Sequence, residues 1–81
     1  MSGTIRVVRE TVGNVQVSFV EPLGIERIRI LGELRSSYLP ELRDMRPAVN
    51  LFVVSRSNTL GMTWAKQEAE RPSEPGVVWL I

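Results

Sequence analysis

The sequence contains no cysteine and no histidine. Without cysteine, disulfide bridges and thiolate metal sites are excluded; without histidine the commonest remaining zinc ligand is gone as well. The same two absences remove the imidazole base and the thiolate nucleophile. Metal-free catalysis would have to rest on Glu, on the single Asp44, on Lys66 or on Tyr38. Hard-cation sites need clustered carboxylates, and the nine acidic residues here are scattered. The expectation is a protein that is not an enzyme and has no cofactor or metal.

Lysine is almost missing too: Lys66 stands alone against nine arginines. Arginine forms forked pairs with carboxylate or phosphate and tolerates interfaces better than lysine. A GC-rich codon bias would give the same skew. The net charge of +1 provides no overall pull toward nucleic acid or anionic lipid. Apolar runs are short, the longest being residues 77–81, so none reaches spanning length and no membrane partner is expected. The opening "MSGTIRVVRE" lacks an apolar h-region, so it does not read as a signal peptide, and a cytoplasmic location is the default expectation.

What is present fits one small domain, residues 1–81. A chain of this length buries only about 60% of its unfolded surface, and the gain nearly cancels against ordering entropy. With disulfides and metals excluded, self-association is the aid that the composition leaves open.

Along the chain, residues 4–10 ("TIRVVRE") are rich in β-branched residues and read as a strand. "TVGN" holds a Gly-Asn pair suited to a tight turn. "VQVSFV" then alternates strictly, with Val15, Val17 and Phe19 on one face. After the break at "EPLG", "IERIRIL" sets Ile28 and Ile30 opposite Arg27 and Arg29 and reads as a third strand. The first half is thus predicted to be an antiparallel meander whose polar face carries Arg6, Gln16, Arg27 and Arg29.

"SSYLPELRDMRP" switches to helical spacing through Tyr38, Leu39, Leu42 and Met45. Ser37 suits the N-cap, Pro40 the first turn, and Pro47 the stop. "AVNLFVVS" is a run fit for a strand buried on both faces. "TWAKQEAER" carries helix formers and stops at Pro72; "GVVWLI" is a second apolar run. Strand, helix and strand in so short a stretch fit a parallel crossover, right-handed by the general rule. A rival reading makes "LGMTWAKQ" a strand in a hairpin with "GVVWLI". The fold class expected is α+β: a three-stranded meander, a short helix, then a strand–helix–strand unit. The alternative is a small all-β barrel or sandwich with one helix.

Three groups of residues are candidates for function. The apolar stretch ending in Trp79, Leu80 and Ile81 could be an edge strand that completes a neighbour's sheet, with Trp64 as a further interface residue. Arg6, Arg27 and Arg29 on a sheet face could meet phosphates or an acidic partner, though stacking aromatics are missing from that face. In "NLFVVSRSNTLGMTW" a strand runs into Ser55–Thr59 and then a helix, a place where Arg56 and exposed N–H groups would favour an anion. That loop has neither the Gly spacing nor the Lys of a phosphate-binding loop, and its Ser, Asn and Thr equally suit a turn and a helix cap.

Residues 31–44, "LGELRSSYLPELRD", resemble the strand–turn–helix opening of STAS domains, regulatory modules of anti-sigma-factor antagonists, and "SNTLG" is similar to their phosphorylated loop. The resemblance implies Ser57 or Thr59 as a phosphoacceptor gating partner binding. The segment between the two motifs is shorter than in that family, an extra strand precedes "GEL", and no final helix follows "VVWLI". The primary expectation is a small protein-interaction or assembly protein, self-associating through Trp79, Leu80 and Ile81. Such a chain suits a phage or mobile-element accessory protein. The alternatives are a nucleic-acid module using the arginine face and a STAS-like phospho-switch.

Overall fold

A computed structural model describes residues 4–13, 15–38 and 50–81. Over these residues four strands form one mixed sheet: β1 (Val7–Val12), β2 (Val15–Val20), β3 (Asn50–Val54) and β4 (Gly76–Leu80), in spatial order β1-β2-β3-β4. Two helices accompany it, α1 (Ile25–Glu33) and α2 (Thr59–Ala69), and a single π-helical turn, Leu34–Tyr38, continues α1. The α+β class is as expected. The arrangement within it is not a meander followed by a separate unit.

β1 and β2 make the expected hairpin, with Val12 opposite Val15 and Gly13 at positive φ in the turn. β2, β3 and β4 are then mutually parallel, Val17, Leu51 and Val77 lying in one row. Strands buried on both faces favour unbroken β-branched and aromatic runs, and β3 is the clearest case: Leu51, Phe52, Val53 and Val54 are all buried. β2 alternates at its start, then closes up through Ser18, Phe19 and Val20 as helices cover both sides.

The pleat divides the sheet into two cores. On one face Val15, Val17, Phe19, Leu51 and Val53 pack with Leu23, Ile30 and Leu34 from the α1 side, and Trp79 and Ile81 join them. On the other face Val20, Phe52 and Val54 pack against Ala65 of α2, with Met62, Trp64, Val78 and Leu80 at the margin. The helices therefore leave the sheet on opposite faces. Trp64 meets Phe52 edge to face, with centroids 5.8 Å apart.

Two expectations need correcting. "IERIRIL" is not a third strand but the body of α1. Its Ile-Arg-Ile-Arg stretch fits either period; the deciding spacing is Glu26, Arg29 and Glu33, which at i, i+3 and i+7 form a ladder of ion pairs along one helix face. Ile30 and Leu34, four apart, are the buried pair. It follows that the sheet face said to carry Arg6, Gln16, Arg27 and Arg29 does not exist, since Arg27 and Arg29 are helical. Ser37 lies inside the π turn rather than capping a new helix, and "GEL" closes α1 instead of ending a strand, so the STAS likeness loses its opening motif. The remainder of the short helix expected to end at Pro47 lies outside the described residues. The all-β alternative and the "LGMTWAKQ" hairpin are excluded by α2 and by the parallel β3–β4 pairing.

Two helical glycines should respond oppositely to alanine. At Gly32 an added Cβ meets nothing within 4 Å. Gly32→Ala should stabilise the fold by about 0.5–1 kcal/mol through helix propensity. At Gly61 the same atom would stand 2.5 Å from the Asn58 amide nitrogen and 2.9 Å from a Val20 methyl carbon. Gly61→Ala should cost about 1–3 kcal/mol, because α2 must lift off β2. Urea denaturation of both variants checks the sign of each change.

Candidate functional site

The parallel strands point their carboxyl ends the same way, and the loops that follow β2 and β3 sit side by side there. From this end α1 departs over one face and α2 over the other, the divergence at which open α/β sheets commonly form a crevice. The loop Ser55–Thr59, however, has many of its polar groups engaged within the protein. The Ser55 and Ser57 hydroxyls bond each other at 2.8 Å, and the Ser57 N–H donates to Ser55 Oγ. Asn58 caps α2, its Oδ1 accepting from the Gly61 N–H at 2.9 Å, while its amide donates to the Glu21 carbonyl across the gap. Ser57 and Thr59 are exposed, and Thr59 is the first residue of α2. The Arg56 N–H donates to the Ile81 carbonyl, and its side chain is exposed. These bonds are those of a turn and a helix cap.

The arginines are separated by the fold. Arg29 stands on the outer side of α1, hydrogen-bonded to Glu26 and, at 2.7 Å, to Glu33. The Glu26 bond raises its pKa above the ordinary arginine value, with Glu33 adding and desolvation opposing. Arg27 lies on another side of the same helix, its Nε 3.6 Å from Glu21 Oε1. Arg6 precedes β1, and its carbonyl accepts the Glu21 N–H at 2.9 Å. Arg6 and Arg27, distant in sequence, thus line one open cleft of about 330 Å³ beside the β2–α1 loop. No local sequence pattern announces this meeting, which requires α1 to be a helix. A second, polar groove of about 270 Å³ lies toward the amino ends of β2 and β3, lined by Arg9, Gln16, Ser18, Asn50, Glu68 and Glu74 among others.

Among the described residues β4 is an edge strand. Every residue from Val78 to Ile81 is half-buried and Val77 is 46% exposed, whereas Leu51 to Val54, the β3 partners of Val77 to Leu80, are buried. The Ile81 N–H donates to the Val54 carbonyl, and the Ile81 carbonyl accepts from Arg56. Backbone alternation then aims the amides of Val77 and Trp79 at β3, and those of Val78 and Leu80 at the open edge. Natural edges are commonly protected by charge, proline or a bulge; β4 has none of these, whereas β1 at the opposite edge carries Arg9 and Glu10. Trp79 and Ile81 also pack on the α1-side core, and Trp64 is tied to Phe52.

No family model, no curated protein and no solved structure matches the chain. Among the described residues, no helix is long and apolar enough to cross a membrane.

Proposed function

We propose that the protein is a non-enzymatic assembly module that pairs with a second copy of itself along β4. The observation that carries this reading is an apolar edge strand without charge, proline or bulge, partly exposed on both faces of the sheet and, among the described residues, with no strand beyond it. The strand is self-complementary. In an antiparallel pair centred on Trp79, Val78 of one chain faces Leu80 of the other and exchanges both backbone hydrogen bonds with it. Trp79 then meets its own copy, and Val77 meets Ile81, all on the face that already packs toward α1. No charge opposes its like across the dyad. Two four-stranded sheets become one of eight strands.

A small chain also gains most from such pairing, since its own core offers little surplus. Light scattering on a sizing column across a concentration series tests it. The expected mass approaches twice the 9.1 kDa chain mass at high concentration. A mass fixed at the single-chain value throughout that series would remove the proposal.

A further inference from the structure

We propose that the cleft beside the β2–α1 loop binds a small oxyanion, carboxylate or phosphate, between Arg6 and Arg27. Its walls are Val8, Pro22, Leu23 and Gly24, and its charged groups are Arg6, Arg27 and Glu21. Two arginines from separate segments therefore line one space. Guanidinium forks match the geometry of carboxylate and phosphate oxygens and pair with them through charge-assisted hydrogen bonds.

The cleft's own carboxylate is already committed. Glu21 Oε2 accepts the Leu23 N–H at 2.7 Å, and Oε1 faces Arg27 Nε at 3.6 Å. These contacts hold Glu21 to Leu23 and to α1, and among the described residues Arg6 has no carboxylate partner. Arg29 and Arg71 contrast with this: Arg29 is held by two glutamates of its own helix, and Arg71 lies 3.5 Å from Glu68. The bond from the Glu21 N–H to the Arg6 carbonyl ties the backbone of Arg6 to the loop that leads into α1.

The test titrates inorganic phosphate and, separately, acetate into the intact protein at constant ionic strength, following backbone amide resonances. Saturable shifts should concentrate at Arg6 and residues 21–27, and comparing the two titrations tells phosphate from carboxylate preference. Arg6→Met should weaken binding at least about fivefold. Arg29→Met, outside the cleft, should leave it unchanged. Glu21→Gln removes the one negative charge and should tighten binding several-fold while the Leu23 N–H keeps an acceptor. Linear, scattered shifts with both anions would overturn the proposal, as would equal affinities for Arg6→Met and the parent protein with the fold intact.

Discussion

Phe19→Ala should lower stability by about 3–5 kcal/mol, enough to remove most of it. Phe19 is fully buried in β2, opposite Val8 on one side and level with Val53 and then Trp79 on the other. It stands at the centre of the core between the sheet and α1, together with Ile30 and Leu34. Truncation loses the transfer energy of the ring and leaves a cavity that strands fixed by hydrogen bonds cannot close. Small domains hold about 5 kcal/mol in total, so little would remain. Urea unfolding followed by tryptophan fluorescence gives the change directly. A loss under about 1 kcal/mol would mean that Phe19 is not buried as described.

The second large effect comes from proline at two adjacent positions of β4. Val77 aims its amide at β3, so Val77→Pro removes a ladder bond and should destabilise the fold by about 3 kcal/mol. Val78 aims its amide at the open edge, where proline is tolerated. Val78→Pro should keep fold stability within about 1 kcal/mol of the parent, while the dimer dissociation constant rises by a factor on the order of 100 or more through lost strand pairing. The pair of variants separates edge from interior within one strand. Thermal unfolding and sedimentation equilibrium of both proteins read the two effects independently. A Val78→Pro protein that remained dimeric would exclude strand pairing.

The hairpin and the two parallel strands were legible because their signals are local. Val15, Val17 and Phe19 alternate; Leu51 to Val54 and Val77 to Ile81 are apolar without interruption, as strands covered on both faces require. The polar loop Ser55–Thr59 was legible as turn and cap, and Asn58 does that work. The segment "IERIRIL" misled because Ile-Arg alternation mimics period two over four residues, whereas Glu26, Arg29 and Glu33 reveal the helix only across seven. Sheet order is set by pairing between segments far apart in sequence, so the edge position of β4 is not written in "GVVWLI" itself. For the same reason the meeting of Arg6 and Arg27 lies beyond any local pattern.

Residue-resolved amide hydrogen exchange at low and high protein concentration tests pairing along β4 most directly. The Val77 and Trp79 amides, bonded to β3, should be protected at both concentrations. The Val78 and Leu80 amides should exchange freely when dilute and become protected as concentration rises. If Val78 and Leu80 exchange at the same rate across the series while the mass doubles, the chains associate through another surface and the β4 dimer is wrong.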